Sequence, residues 1–318
     1  MNKTLIKPRA LQSKDRVGLV APGARPYKPS DLNRAVRLVE AMDFVPVVGQ
    51  HCMACLGHLA GSDEQRLHDF NGFVGDVSIA AIFCLTGGSG ALALIDKIDF
   101  KTMAAAGKIF VGGDDNNAIS IAANAKENLV TFCGPNLDEI NSRTDMELFR
   151  DFLINKDENK NERTRSISVS TKNGEFDFCA DYIPVPGVAE GSLLGGNLTA
   201  LTSLLGTGFA PDLTDALLFI DDRDERTDIL DRWFTMLVIS NQLVNTTGII
   251  LGPFENCDSR GSFNLLSLEE DLSQRLIALN KPCRFDFPIG KTAMVPTGPK
   301  ARFDATNGSL EFLESIFA

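Results

Sequence analysis

The feature that most constrains the fold is a pair of glycine-rich turns, each directly after a short apolar run. The first turn, residues 86–90 (TGGSG), follows a run that ends at Cys84, and the second, residues 112–115 (GGDD), follows a run that ends at Val111. Continuous apolar runs of this length are typical of parallel strands buried on both faces. Because ligands of open α/β sheets bind at the carboxyl ends of strands, the two turns predict one shared site.

The rest of the first half alternates apolar runs with helical patterns, as a parallel sheet covered by helices requires. Apolar residues recur on one helical face from Pro29 to Met42, and Ser62 followed by Gln65 forms a capping box at the start of the next helix. We therefore predict an α/β fold whose N-terminal domain is a doubly wound, mostly parallel sheet. The predicted strands are 17–20, 45–48, 80–84, 108–111 and 129–132.

A second domain is expected after a charged stretch. Residues 155–163 (NKDENKNER) have almost nothing to bury and indicate a surface linker. We assign residues 1–150 to the first domain, 151–166 to the linker and 167–318 to a smaller, mixed α/β domain. The elements predicted in that domain are strands at 217–220 and 247–251 and helices at 198–205 and 229–240.

Composition limits the classes of partner. The formal net charge of −11 repels nucleic acid and anionic membrane surfaces, and 44% hydrophobic content is enough for a large core. The N-terminus has no apolar run long enough for a signal peptide, and no stretch reaches the length of a membrane helix. Seven irregularly spaced cysteines favour reduced thiols. We expect a cytoplasmic protein with no nucleic-acid or membrane partner.

Five stretches carry a resemblance to a known family. They are residues 57–66 (GHLAGSDEQR), 82–90 (IFCLTGGSG), 109–115 (IFVGGDD), 187–205 (GVAEGSLLGGNLTALTSLL) and 287–291 (FPIGK). Together they resemble the serine-type LD-carboxypeptidase family, which includes the microcin C immunity proteins. The resemblance implies a second domain that closes over the first, a homodimer, and a small peptide or aminoacyl ligand.

The same resemblance shows what has changed in this chain. Members of the family use a serine, a glutamate and a histidine, and these positions fall here on Asp114, Asp221 and Lys291. The resemblance also implies that the backbone amides of Gly88 and Asp115 form the oxyanion hole, with position 114 at a sharp turn. All three catalytic residue types are therefore replaced, while the frame around them is kept.

Asp114 is a poor substitute for a serine nucleophile. Attack of a carboxylate on an amide gives a mixed anhydride, which readily returns to the starting amide. The carboxylate would also compete for the oxyanion amides, which would cap its charge and lower its pKa. Lys291 between Asp114 and Asp221 would stay an ammonium ion, because adjacent negative charges favour that form. We expect an ion-paired group of these three side chains.

Three interpretations remain open. The favoured one is a catalytically altered or inactive homologue that keeps a pocket for a peptide-like or aminoacyl ligand. The alternative is an active LD-carboxypeptidase or related hydrolase that uses Asp114 or a metal, and the third is an ion-paired relic that stiffens the domain interface. Ser89 and Glu190 are candidate ligand-binding residues. The acidic run 221–225 adds carboxylates beside the cleft, although most of it is typical of a solvated loop.

One further cluster is independent of the resemblance. His51, Cys52, Cys55 and His58 are all residue types that bind zinc, but structural zinc sites usually have two widely separated ligand pairs. Reduced cysteines in a loop over the ligand cleft are the simpler interpretation. We expect no cofactor and no metal.

Overall fold

The computed structural model describes residues 4–154, 166–168, 184–257, 267–290 and 293–318. The charged stretch 155–163, predicted as a linker, lies outside these residues. No helix in the described part of the chain is long and apolar enough to cross a membrane.

Five strands from the first half of the chain and one short strand from near its end, β11 (Val295–Pro296), form a six-stranded sheet in the order β2-β1-β3-β4-β5-β11, in which β1 to β5 run parallel and β11 pairs antiparallel with β5. The order 2-1-3-4-5 is common among doubly wound folds, so this part of the fold prediction is confirmed. Its strands are β1 (Arg16–Val20), β2 (Val45–Val48), β3 (Ile79–Cys84), β4 (Ile109–Gly112), β5 (Phe132–Cys133) and β11 (Val295–Pro296). Only β5 is much shorter than predicted.

Helices follow these strands, and two of them begin as the sequence indicates. Pro29 opens the first helix, and the Ser62 side chain accepts the Gln65 amide N–H while Gln65 completes the capping box. The helices are α1 (Pro29–Ala41), α2 (Asp63–Gly75), α3 (Phe100–Ala105), α4 (Asn117–Glu127) and α5 (Arg143–Leu153), with short 3₁₀ turns at Ala91–Lys97 and Asp114–Asn116.

The second half forms a seven-stranded mixed sheet in the order β10-β9-β8-β7-β12-β13-β6. The block β7 to β10 is parallel, and β12, β13 and β6 are added antiparallel. The strands are β6 (Ser166–Ser168), β7 (Val188–Asn197), β8 (Ala216–Arg223), β9 (Gly248–Glu255), β10 (Cys283–Arg284), β12 (Lys300–Asp304) and β13 (Ser309–Phe312). The helices are α6 (Leu198–Leu204), α7 (Thr227–Ile239) and α8 (Leu268–Leu279).

Helix α4 connects the two sheets. Its residues from Asn117 to Asn124 are all buried, and the Asn117 side-chain oxygen accepts the backbone N–H of Asn197 at 2.8 Å, where β7 ends. A side chain at Gly196 would come within 2.9 Å of that same oxygen, so glycine permits the close approach. This contact brings the carboxyl ends of β4 and β7 to one place.

Candidate functional site

A polar pocket of about 230 Å³ lies where strands of both sheets end. Asp114 follows β4, while the other polar lining residues stand at the carboxyl ends of β7, β8 and β9. The full lining is Asp114, Asn197, Asp221, Asp222, Arg223, Pro253 and Glu255. The two sheets thus supply one site from opposite sides, and of the two glycine-rich turns only the second contributes a lining residue, Asp114.

Asp114 sits on a sharp turn. Its φ of +53° is in the left-handed region, which is uncommon for a residue with a side chain. The carboxylate also lies against the first glycine-rich turn, because a Cβ placed on Gly87 would be only 1.8 Å from Asp114 Oδ2. The predicted geometry of position 114 is therefore present, and Gly87 is the residue that makes room for the acid.

The cation beside Asp114 is Arg223. Its Nη1 lies 3.7 Å from Asp114 Oδ2 and forms a close ion pair with Glu139, while its Nε lies 3.1 Å from Glu255. These charges raise the pKa of Arg223 despite its partial burial. In the part of the chain that the structure describes, three carboxylates thus surround one guanidinium.

The pKa of Asp114 is raised to about 7, first by burial and then by the charge of Glu139, with Arg223 only partly opposing them. The expectation that amides would lower this pKa is wrong. Among the described residues, no backbone N–H hydrogen-bonds the Asp114 carboxylate, so nothing offsets its desolvation in the way we predicted. Near neutral pH the group is therefore divided between its protonated and ionised forms.

Asp221 and Asp222 differ although they are neighbours on β8. Burial, followed by the charges of Asp222 and Asp114, raises the pKa of Asp221 to about 7. Asp222 instead accepts hydrogen bonds from the Asn197 side chain at 2.7 Å and from the Thr199 amide and hydroxyl at 3.0 and 2.8 Å. Burial raises the pKa of Asp222 as well, but these hydrogen bonds to its ionised form oppose the rise. Asp222 therefore anchors the start of α6.

Lys291 lies outside the described residues, so its ion pair with Asp114 and Asp221 stays a prediction. The chain reaches the site just before it, since a Cβ on Gly290 would be 2.1 Å from Asp221 Oδ2. The structure therefore places the backbone that leads to Lys291 beside Asp221.

The glycine-rich turns are held by the side chains of Asp115, after β4, and of Arg66, on α2. Asp115 Oδ2 accepts the backbone N–H groups of Gly90 and Ala91 at 2.8 and 2.9 Å. Arg66, which is buried, donates from Nη1 to the Gly90 carbonyl at 2.8 Å. The side chain of Asp115 thus joins the two turns, a structural role that the sequence did not suggest. The oxyanion role of the Gly88 and Asp115 amides stays a prediction.

A second set of contacts fixes the turn at Asp114 from the β5 side. The Asn136 side-chain oxygen accepts the Gly113 N–H at 3.0 Å and the Asn116 side-chain N–H at 3.1 Å. Glu139 in turn accepts the Asn136 backbone and side-chain N–H groups at 2.7 and 3.0 Å. Glu139 therefore links the backbone around Asp114 to the guanidinium that faces it.

The two candidate ligand-binding residues lie in different places. Ser89 is in the first glycine-rich turn, with its Oγ 3.2 Å from His58 Nε2. Glu190 is near the amino end of β7, seven positions before Asn197, and its carboxylate lies 3.8 Å from Arg302. At about 3.3 Å per residue this separation is roughly 23 Å. The pocket lies at the carboxyl end of β7, so Glu190, near the amino end of this strand, is outside it.

The cluster of histidines and cysteines is divided by the fold. Cys52 is buried, its Sγ donates to the Leu19 carbonyl at 3.3 Å, and burial raises the pKa of its thiol to about 12. Cys55 is exposed, and His58 turns toward Ser89. These residues do not form a common centre. The six described cysteines are free, as expected for reduced thiols.

Comparison with known proteins gives the family. Residues 17–134 match the LD-carboxypeptidase N-terminal domain and residues 190–302 match the LD-carboxypeptidase C-terminal domain. A probable murein peptide carboxypeptidase of Bacillus subtilis is 34% identical over 302 residues, covering 93% of this chain and 90% of that protein. The chain therefore belongs to the LD-carboxypeptidase family.

Two further similarities concern an immunity protein. The microcin C7 self-immunity protein MccF of Escherichia coli is 27% identical over 316 residues, covering 90% of this chain and 88% of that protein. A structure of MccF in complex with glutamyl sulfamoyl guanosine superposes with a TM-score of 0.85 at 23% identity, covering 98% of this chain and 100% of the other. The latter similarity establishes the two-domain fold.

Several site residues escaped the sequence reasoning. No sequence motif marks three residues of the site, and only the fold places them there. They are Glu139, Asn136 and Glu255. Arg223 lies inside the acidic run 221–225, most of which is predicted as a solvated loop. That prediction is wrong for Asp222 and Arg223, because β8 extends to Arg223 and both residues line the pocket beside Asp221. The sequence does hold one signal for Arg223, which is a single cation in an otherwise acidic run directly after an apolar strand.

Proposed function

We propose that this chain binds a small peptide or an aminoacyl ligand in the carboxylate-lined pocket and does not cleave it by the serine-type mechanism of its family. The observation that supports this most directly is the position of Asp114, which stands on the strained turn with Arg223 Nη1 3.7 Å away. An acid that is ion-paired or protonated at this position is a weak nucleophile.

The charge of the pocket indicates which part of a ligand it accepts. Four carboxylates, those of Asp114, Asp221, Asp222 and Glu255, are lining groups, against one described cation, Arg223. An ammonium group is the complementary ligand charge. We infer that the pocket holds the amino group of its ligand.

The names of similar proteins supply the first ligands to try. One relative is named for murein peptides, and the superposed immunity protein was solved with an aminoacyl sulfamoyl nucleoside. An aminoacyl group carries a free α-amino group beside its carbonyl carbon, so this ligand class offers the charge that the pocket requires. Cytoplasmic residence, which the six free cysteines support, and a homodimer complete the proposal.

A second candidate function is hydrolysis by a pair of carboxyl groups. The pKa values of Asp114 and Asp221 are both raised to about 7, mainly by burial. Two neighbouring carboxyls that titrate near neutral pH can act as general base and general acid on a bound water and an amide, without a covalent intermediate. This observation favours an altered hydrolase over an inert relic.

The deciding experiment combines binding and product analysis. The purified native chain is incubated with an L,D-linked tetrapeptide or with an aminoacyl sulfamoyl adenosine, binding is measured by calorimetry, and products are sought by mass spectrometry. A triple variant, Asp114→Ser with Asp221→Glu and Lys291→His, runs in parallel. Glu190→Gln serves as a variant outside the pocket and should leave binding unchanged.

Each outcome decides between the candidates. Saturable binding without product in the native chain supports the binding function, and cleavage only by the triple variant shows that just the catalyst is missing. Cleavage by the native chain that is lost in Asp221→Asn supports the carboxyl-pair hydrolase. No binding of either ligand by the native chain or the triple variant overturns the proposal.

A further inference from the structure

Two of the three histidines converge on one buried carboxylate, and none of these residues lines the pocket. His51 follows β2, whereas His68 and Asp69 lie on α2. The donor atoms of the three side chains all lie within 4.8 Å of one another. We propose that His51, His68 and Asp69 form a binding site for a divalent transition-metal ion of the zinc class.

The distances suit such an ion. Asp69 Oδ1 lies 2.8 Å from His51 Nδ1 and 3.5 Å from His68 Nδ1, and the two imidazole rings are perpendicular. Zinc bonds of about 2.0–2.2 Å in a tetrahedron place neighbouring donor atoms roughly 3.4 Å apart. The pair of Asp69 with His68 already has that spacing, and the pair with His51 needs to open by about 0.6 Å. The donor atoms of the two histidines lie within 4.8 Å of each other and need to approach by at most about 1.4 Å.

The carboxylate is both buried and oriented. The Asp69 side chain is 5% exposed, and its Oδ2 accepts the His51 backbone N–H at 2.7 Å, which leaves Oδ1 facing the two rings. In the part of the chain that the structure describes, no lysine or arginine forms an ion pair with Asp69. A buried carboxylate is costly without a positive partner, and a metal ion between the rings supplies that charge.

The surroundings indicate the class of ion and its access. Two imidazole nitrogens with one carboxylate oxygen favour zinc, copper, nickel or cobalt over magnesium or calcium, which prefer all-oxygen sites. The His68 side chain is 68% exposed while that of His51 is 19% exposed, so an ion can enter from solvent on the His68 side. Three protein ligands leave a coordination position for water.

The sequence did not reveal this site because its ligands come from two separate stretches. The local cluster grouped His51 with Cys52, Cys55 and His58, but the fold directs His51 toward α2 and His58 toward Ser89. The expectation of no metal followed from that grouping.

The test is metal binding by the full chain with Zn²⁺ and Co²⁺ alone. It is done in a Cys55→Ser background, because the exposed thiol of Cys55 is a competing ligand. We expect one equivalent of Zn²⁺ by calorimetry and Co²⁺ absorption bands of a four- or five-coordinate site. His68→Ala should weaken Zn²⁺ binding at least about tenfold, because even the replacement of a residue that only hydrogen-bonds a metal ligand lowers metal affinity by about tenfold or more.

The third histidine provides the matched control. His58→Ala removes an imidazole that contacts Ser89 rather than Asp69, and its metal affinity should stay within twofold of the parent. Because the His68 ring is exposed, its removal should not unfold the chain, and equal thermal midpoints of the two variants without metal check this. Absence of Zn²⁺ binding, or equal affinities of the His68→Ala and His58→Ala variants, overturns the proposal.

Discussion

Arg223 and Asp114 face each other from the two sheets, with 3.7 Å between Nη1 and Oδ2. Arg223 also contacts Glu139 and Glu255, so three carboxylates share one guanidinium. This geometry explains how a partly buried acid is tolerated on the turn after β4. Among the described residues, Arg223 is the cation on which the stability of this contact between the two sheets depends.

Replacing this cation should destabilise the protein in a pH-dependent way. We expect Arg223→Gln to lower the free energy of unfolding by roughly 3 kcal/mol at pH 8, because breaking a largely buried ion pair leaves its partners uncompensated. The loss should be smaller at pH 5, where Asp114 is protonated. Calorimetric unfolding at both values of pH measures it. The control, Arg226→Gln, removes an exposed pair with Asp228 and should cost under about 1 kcal/mol.

Asp221 and Asp222 should respond oppositely to the same isosteric change. Because the folded pKa of Asp221 is raised from 3.8 to about 7, the folded state binds its proton more tightly than the unfolded state. Asp221 therefore costs no stability below about pH 4, an increasing amount as the pH rises to 7, and a constant amount above that. The full shift corresponds to roughly 4 kcal/mol as an upper value.

Asp221→Asn should thus raise the unfolding free energy, more at pH 8 than at pH 4. Asp222→Asn should lower it by roughly 1–3 kcal/mol at pH 8, since an amide cannot accept all the hydrogen bonds from Asn197 and Thr199. Urea unfolding at the two pH values measures both variants. A uniform, pH-independent effect of Asp221→Asn would show that this carboxyl does not titrate differently in the folded state.

The local features of the fold were predictable from the sequence, whereas the charges of the site were not. Capping at Ser62 and the apolar runs of β1 to β4 depend on neighbours within a few residues, so pattern alone identifies them. The turn at Asp114 was predictable from the glycines before it and from the family resemblance. The pairing of Asp114 with Arg223 was not, because it depends on how α4 docks the second sheet, and sequence spacing holds no information on that contact.

Ligand binding should release protons. An ammonium group that enters the pocket stabilises the ionised forms of Asp114 and Asp221, both of which have pKa values near 7. Affinity should therefore rise by up to about tenfold per pH unit for each displaced proton as the pH increases from 5.5 to 7. Above pH 8 it should fall again, as an α-amino group with a pKa near ~8 loses its charge.

Calorimetry in buffers of different ionisation enthalpy counts the released protons directly. An N-acetylated form of the same ligand is the control, because it lacks the ammonium group. The acetylated ligand should bind more weakly and without the rise between pH 5.5 and 7. Equal pH profiles for the two ligands would mean that the carboxylates do not contact the amino group.

The close approach of Gly87 to Asp114 predicts a specific rescue. A methyl group at Gly87 would lie 1.8 Å from Asp114 Oδ2, so Gly87→Ala must displace the carboxylate and should cost roughly 1–3 kcal/mol of stability. Asp114→Ala removes that oxygen, and in its background the cost of Gly87→Ala should fall to under about 1 kcal/mol. Urea unfolding of the four proteins in this double-mutant cycle gives the coupling energy.

Gly72→Ala is the control. It lies inside α2 in open space, so the added methyl group should stabilise the protein by up to about 1 kcal/mol. An unchanged cost of Gly87→Ala without the Asp114 carboxylate would show that the crowding comes from another group, such as Asn136, whose side-chain nitrogen is 3.0 Å from the same point.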